Sequence, residues 1–457
     1  MSQSNFSSLT LSKEMLHNLK ELGFTQMTAI QQESIPPILK GKDVLAQAKT
    51  GSGKTAAFGI GLLSTLNVNK FRVQSLVLCP TRELAEQVAK ELRRLARFKH
   101  NIKILVLCGG APFGPQLGSL RHGAHIIVGT PGRTLAHLEK KSLLLDDLAT
   151  LVLDEADRML DMGFIEEIEK VIAYAPEKRQ SLLFSATYPD TIMQLSGRIQ
   201  KDAVRVETIA TESVNKISET FYAVSPTQKS IALIGVLAKH NPKNVIVFCN
   251  MKKDASEIAD ELNQKGIDAL AIHGDLEQYE RVDVLVQFMN HSCSVLVATD
   301  VAARGIDVKE LAMVVNYDMP KGEDVYTHRI GRTGRAGQEG IAVSFFTERE
   351  VEEVEFYRND TRQFLAFKSL DCDEAPEMQP PNVTLVIEGG KKDKVRAGDL
   401  LGALTKEGNI DAKYIGKIDI YERQAYVAIS KEMIRKAHKA LSSGKIKGRK
   451  FSVWILD

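Results

Sequence analysis

Short apolar runs recur along this 457-residue chain, with helix-patterned stretches between several of them. The first set is V-L-A-Q-A (44–48), S-L-V-L-C (75–79), I-K-I-L-V-L (102–107), H-I-I-V-G (125–129), T-L-V-L (150–153) and S-L-L-F-S (181–185). The second is N-V-I-V-F-C (244–249), A-L-A-I-H (269–273), S-V-L-V-A-T (294–299), M-V-V-N-Y (313–317) and I-A-V-S-F-F (341–346). A strand that is apolar on both sides must be covered on both sides, and alternating helices supply that cover around a parallel sheet. The pattern therefore predicts two α/β domains, residues 1–207 and 219–368, joined by a polar linker at 208–218. A Pro-rich acidic stretch at 369–382 follows. Beyond it the order becomes β-α-β-β-α-β, which predicts a small ferredoxin-like α+β domain over 383–457.

The first strand runs into A-K-T-G-S-G-K-T, residues 48–55, and then into a helical A-A-F-G-I-G-L-L. Strand, glycine-rich loop and helix is the arrangement that cradles phosphate. Gly51 and Gly53 let the backbone wrap closely, so the N–H groups of Ala48, Lys49, Thr50, Gly51 and Ser52 can turn toward phosphate oxygens. Lys54 can reach the β- and γ-phosphates, and the Thr55 hydroxyl can ligand Mg²⁺. Ala48 stands where the usual pattern begins with glycine.

About a hundred residues later T-L-V-L-D-E-A-D (150–157) places carboxylates at the end of another buried strand. Asp154 is positioned to hold Mg²⁺, partly through water, and Glu155 to orient and deprotonate water. Taken alone, these acids would also suit a solvated first helical turn. Paired with the phosphate loop they point to hydrolysis of ATP. The second domain has no phosphate loop, so one ATP site is expected. Ligands in such sheets bind outside the carboxyl ends of the strands.

No apolar run approaches the ~20 residues of a membrane span, and no secretory pattern opens the chain. The five cysteines show no metal-type spacing and read as buried free thiols of a cytoplasmic protein. Charge is unevenly placed. Residues 383–457 hold 16 Lys+Arg against 9 Asp+Glu, which leaves 44 against 49 of the chain totals of 60 and 58 for the remainder. A basic module on a mildly acidic body suggests a polyanion-binding appendage.

These motifs, in this order over residues 6 to about 368, closely resemble the DEAD-box RNA helicases of helicase superfamily 2. The resemblance implies two RecA-like parallel-sheet domains plus a small RRM-like C-terminal domain. It implies that Gln31, in G-F-T-Q-M-T-A-I-Q (23–31), reads the adenine edge while Phe24 stacks on its face. Phe6 matches the family's upstream aromatic; Met27 and Ala29 stand where prolines are usual. Ser185 and Thr187, in S-A-T, would hydrogen-bond to the D-E-A-D segment and to the second domain. In H-R-I-G-R-T-G-R (328–335), Arg332 and Arg335 resemble the arginines that reach the γ-phosphate, with His328 a coupling residue. Gly305 and Asp307 would lie against the nucleotide.

RNA contacts carry over likewise. They are Pro80, Thr81 and Arg82; Gly109 and Gly110; Thr130, Pro131, Gly132 and Arg133; Asn250; the H-G-D segment around Gly274; Gln278 to Arg281; and Thr299 with Asp300. Small, amide and arginine side chains suit phosphate and 2′-OH contacts better than base reading. In the small domain, K-K-D-K-V-R (391–396), R-K-A-H-K (435–439) and the turn holding Lys447 and Arg449 form the basic patch. Tyr426 aligns with one stacking aromatic of an RNA recognition motif. Gln424 and Ile429 occupy other aromatic positions, so RNA binding by a different face is expected, and a dimerisation or interaction module is the alternative.

The whole chain resembles one bacterial group of the family. That implies a monomer docking on a hairpin of 23S rRNA during assembly of the large ribosomal subunit. A DNA-translocating relative, an RNA scaffold with a silent core and an ATP-gated RNA clamp are the rival readings.

Overall fold

The computed structural model describes residues 5–47, 52–188, 190–207, 217–303, 311–334, 339–355, 357, 362–367, 376 and 378–456. The chain divides into two compact units, the first carrying β1–β7 and the second β8–β18.

In the first lobe β1 (Val44–Gln47), β2 (Ser75–Leu78), β3 (Ile104–Leu107), β4 (Ile126–Gly129), β5 (Thr150–Asp154), β6 (Gln180–Ser185) and β7 (Val204–Glu207) form one sheet. Its order is β3-β4-β2-β5-β6-β1-β7, with every pair parallel. β2, β4 and β5 are buried along their whole length. One side is packed by the cluster of Val44, Phe58, Val77 and Val152, the other by that of Leu45, Leu76, Ile127 and Leu153.

The second lobe repeats this plan. β8 (Ile217–Ala223), β9 (Val245–Cys249), β10 (Ala269–Ile272), β11 (Val295–Thr299), β12 (Met313–Asn316), β13 (Gly340–Phe346) and β14 (Gln363–Ala366) lie in the order β10-β11-β9-β12-β13-β8-β14. This is strand for strand the order of the first lobe. All pairs are again parallel.

Three strands depart from the expected set. β7 and β14 are edge strands whose outer residues are partly exposed, so they lack a continuous apolar run. The linker expected at 208–218 is corrected at its end, because Ile217 and Ser218 already belong to β8. β8 is hard to read because Glu219 interrupts it. That carboxylate is held inside the lobe by the Tyr326 hydroxyl at 2.6 Å and by Arg362 at 2.7 Å. The tether expected at 369–382 is also corrected. Met378 is 3% exposed and packs in the second lobe's core, and Asn382 opens β15.

The small domain holds β15 (Asn382–Ile387), β16 (Ile415–Ile420), β17 (Ala425–Ser430) and β18 (Val453–Ile455), antiparallel in the order β16-β17-β15-β18. Leu385, Ile387, Val427 and Ile429 point to its own helices and pack with Leu400, Leu404, Ala437 and Leu441. Their alternates Val386 and Tyr426 point the other way, as the pleat requires. No helix among the described residues is long and apolar enough to cross a membrane.

Candidate nucleotide site and RNA-facing motifs

The carboxyl ends of β1, β6 and β5 lie side by side, with Gln47 beside Ser185 and Asp154 beside Phe184. Lys54 opens the helix Lys54–Thr65 behind Gly53, whose φ of 95° is left-handed backbone that glycine accepts without strain. A Cβ at Gly53 would sit 2.5 Å from Gln31 Nε2. That amide donates to the Gly53 carbonyl at 3.1 Å, while Gln31 Oε1 accepts from the Thr28 amide at 3.0 Å. The expected adenine reader is thus tied to the rim of the phosphate loop. Phe24 meets Phe6 edge-on at 6.1 Å, and the Arg94 guanidinium lies 5.4 Å from its ring centre.

Lys54 is 6% exposed and Asp154 3%. Neither Lys54 Nζ nor Asp154 Oδ1 makes a hydrogen bond, and Ser52 Oγ is equally unpartnered. Buried charges without partners are costly unless a ligand supplies them. Burial pushes the Asp154 carboxyl up to about 6; Lys54 opposes that rise and Glu155 adds to it. A cation, a hydroxyl and an acid at the mouth of a phosphate loop fit a nucleoside triphosphate with a divalent ion. Glu155 has φ 53° and ψ 52°, a left-handed turn that caps the helix Ala156–Asp161, and its carboxylate meets Arg158 at 3.1 Å. Such backbone in a non-glycine residue stores strain and is common at functional sites.

Asp157 wires this acidic turn to β6. Its Oδ2 accepts from the Ala186 and Thr187 amides at 3.0 Å each, and from Thr187 Oγ1 at 3.1 Å. Thr187 therefore makes the expected contact with the D-E-A-D segment. The expectation for Ser185 is corrected: its Oγ is buried and makes no hydrogen bond, because the Asp157 carboxylate faces the residues after it.

At the other strand ends of this lobe, Thr81 caps the helix Arg82–Leu95 by accepting from the Leu84 amide. Arg82 lies over Gly109 and Gly110; a Cβ on Gly110 would come within 1.5 Å of its Nη1, so only glycine leaves room for the guanidinium. Pro131 starts the helix Pro131–Glu139. Arg133 donates to the Ala111 carbonyl at 2.8 Å and to Gln116 Oε1 at 2.9 Å. Phe113 stacks on His137 at 4.0 Å. Burial, reinforced by Arg133 and then Lys140, brings His137 down to about 4.

In the second lobe the central group is Arg329. Its guanidinium takes both oxygens of Asp300 at 2.7 Å, the Asp318 carbonyl at 2.7 Å, Asn316 Oδ1 at 3.2 Å and Asn250 Oδ1 at 3.1 Å. Asn250 also donates to the Met319 carbonyl at 3.2 Å. Thr299 is buried at the end of β11. His273 Nε2 pairs with Ser256 Oγ at 3.0 Å, and Asp275 pairs with Lys252 at 2.7 Å, beside Gly274. Gln278 and Arg281 open the helix Gln278–Met289. Arg332 is 5% exposed and follows the same helix end as His328 and Arg329. In the small domain, Lys447 Nζ donates to the Lys394 carbonyl at 3.0 Å, which joins the two basic segments; Arg449 is exposed in the adjoining turn.

Residues 28–195 match the DEAD/DEAH box helicase family, 228–337 the helicase conserved C-terminal domain, and 384–455 the DbpA RNA binding domain. The ATP-dependent RNA helicase DbpA of Escherichia coli (strain K12) is 50% identical over 453 residues, covering 99% of each chain. The chain belongs to the DEAD-box family of ATP-dependent RNA helicases.

The same-named protein of Bacillus subtilis (strain 168) is 38% identical over 98% of this chain and 99% of its own. Among solved structures, Saccharomyces cerevisiae Dbp5 bound to RNA and ADP BeF3 superposes with a TM-score of 0.72 at 30% identity, over 80% of this helicase and 96% of that chain. Mss116p bound to ssRNA and AMP-PNP gives 0.71 at 28% identity, over 79% and 78%. Use of ATP and of RNA follows from the family.

Ala48, Lys49, Thr50, Gly51, Gly305, Asp307 and Arg335 lie outside the described residues. Sequence reasoning did not single out Asp157, Arg158, Arg94 or Arg329. Asp157 and Arg329 stand inside motifs it quoted, and only three-dimensional partners reveal their parts.

Proposed function

We propose that this helicase closes its two lobes on ATP and a single RNA strand, and so loosens short duplexes. Gln31 and Phe24 hold the base, the loop 48–55 and Lys54 hold the phosphates, and Thr55 and Asp154 take the Mg²⁺. Bound there, the metal and triphosphate supply the neutralised, activated phosphoryl group. Glu155 orients and deprotonates water, and Arg332 and Arg335 meet the charge that develops. Asp157, bonded to Thr187, carries the state of that site to β6. The observation behind this reading is the burial of Lys54 and Asp154 with Lys54 Nζ and Asp154 Oδ1 left without a hydrogen bond. Glu155→Gln should abolish phosphate release and leave ATP binding in place; unchanged turnover would sink the assignment.

The basic turn of the small domain directs the enzyme to a hairpin of 23S rRNA during assembly of the large ribosomal subunit, in the cytoplasm and as a monomer. Full-length likeness to the DbpA proteins and the joined basic segments at Lys394 and Lys447 support this target. Exposed cations that grip phosphate set affinity and its salt dependence. ATPase stimulation by 23S rRNA should exceed stimulation by poly(U), and Lys447→Glu with Arg449→Glu should remove the excess. Equal stimulation by both RNAs would refute the target.

A further inference from the structure

In the first lobe the helix Phe113–Arg121 stands between the Gly109–Gly110 turn and the T-P-G-R segment at 130–133, and none of its residues is buried. Leu120 packs on the core only in part. A helix so thinly covered is placed by its polar and ring contacts. Lys103 Nζ donates to the Ser119 carbonyl at 3.0 Å, and Phe113 stacks on His137 with Lys140 Nζ 4.3 Å from its ring centre. Gln116 uses both ends of its amide. Its Nε2 donates at 2.9 Å to the carbonyl of Cys108, the residue before the turn. Its Oε1 accepts from Arg133 Nη1 at 2.9 Å and from His137 Nε2 at 3.0 Å. The amide fits only this way round, since Cys108 offers a carbonyl and Arg133 offers donors alone. His137 must then carry its proton on Nε2, which leaves Nδ1 an acceptor facing Ser142 Oγ at 2.9 Å. Arg133 Nη1 also donates to the Ala111 carbonyl at 2.8 Å, so both hydrogens of that nitrogen are used inside the lobe. The opposite edge of the guanidinium, Nε with Nη2, is a fork that matches a phosphate.

We propose that Gln116 is a positioning residue for RNA: its amide ties the Gly109–Gly110 turn to Arg133, so that two backbone-gripping segments of this lobe meet one strand at a fixed spacing. This role rests on the reading of those segments as RNA contacts, and adds what aims them. An arginine free to rotate loses its rotamer freedom when it grips a phosphate. One already held by Ala111 and Gln116 has lost that freedom beforehand, so less is lost on binding. His137 holds the same amide from the other side, and its stack on Phe113 keeps the helix against both segments. Such preorganisation acts on the RNA concentration that the enzyme needs. It does not act on turnover once the strand is bound.

The test follows ATPase of the full chain against poly(U) concentration, in a double-mutant cycle of Gln116→Met and Arg133→Ala. Gln116→Met keeps the side chain's length and removes its amide. It should raise the poly(U) concentration for half-maximal stimulation about tenfold, the size of one charge-assisted bond. Turnover at saturating poly(U) and KM for ATP should stay within about twofold, since only binding is touched. On the Arg133→Ala background the same substitution should add only about twofold, the effect of the freed turn, because the group it aims is gone. Gln116→Asn keeps the amide and draws it back by one methylene. It should fall between, and it carries the cycle if Gln116→Met does not fold. The full loss on both backgrounds, no loss on either, or a fall in saturated turnover in place of the shift overturns the positioning role. If Arg133→Ala itself leaves half-saturation unchanged, Arg133 is not an RNA contact, and the role of Gln116 falls with that reading.

Discussion

The two lobes share one strand order and treat buried charge in opposite ways. In the first, Lys54 at a helix start and Asp154 at a strand end are buried, and Lys54 Nζ and Asp154 Oδ1 make no hydrogen bond. In the second, Arg329 is 2% exposed and bonded to Asp300, Asn250, Asn316 and the Asp318 carbonyl. Burial alone therefore does not separate scaffold from site. An unsatisfied buried charge is held ready for a ligand, whereas a satisfied one ties strands together.

The sharpest way to break this contrast is to exchange the outcomes. Glu155→Gln should lower RNA-stimulated turnover by at least about 10³-fold with ATP affinity retained, measured by phosphate release and nucleotide titration. Arg329→Ala should destabilise the protein by about 2–4 kcal/mol in urea unfolding, because the fully buried Asn316 and the partly buried Asp300 lose their donor. Lys54→Met should weaken ATP binding at a smaller cost to the unfolding midpoint, since it removes a desolvated cation that makes no hydrogen bond and acts in the lobe only through its charge on Asp154. Equal losses of stability from Arg329→Ala and Lys54→Met would end the distinction.

Smaller effects refine it. His137 is held near 4 in the folded lobe against 6.5 in the unfolded chain. The unfolded chain then binds the extra proton between those values, so stability is present above pH 6.5 and drains away as pH falls toward 4. The expected loss is about 1–3 kcal/mol in urea midpoints across that window, and His137→Gln should flatten it. Thr81→Ala removes the acceptor for the Leu84 amide and should cost about 1 kcal/mol, with weaker RNA binding if Thr81 also meets phosphate.

Much of the fold was legible because fully buried parallel strands must be apolar along most of their length, as β2, β5, β9 and β11 are. β8 was not, because Glu219 breaks the run and only Arg362 and Tyr326, over a hundred residues away, explain it. At the site, Lys54 and Glu155 were legible from motif and spacing, and Thr187 from the resemblance to the family. Asp157 was not distinguishable from its neighbours, since an acid after D-E-A says nothing of which amides it will meet. Tyr426 aligns by sequence with a base-stacking aromatic, yet it is buried under a helix 143 residues earlier.

Sequence by itself determined the alternation that builds two parallel lobes, the phosphate loop with its acidic partner, and the basic end of the chain. Those depend on local periodicity and on residue types at short spacing. Tertiary structure alone decided that Ser185 stays unbonded, that Arg329 is spent on scaffold, and that the small domain's sheet is covered. Partnership of a buried polar group is a property of whatever the fold brings beside it, and no local pattern encodes that neighbour.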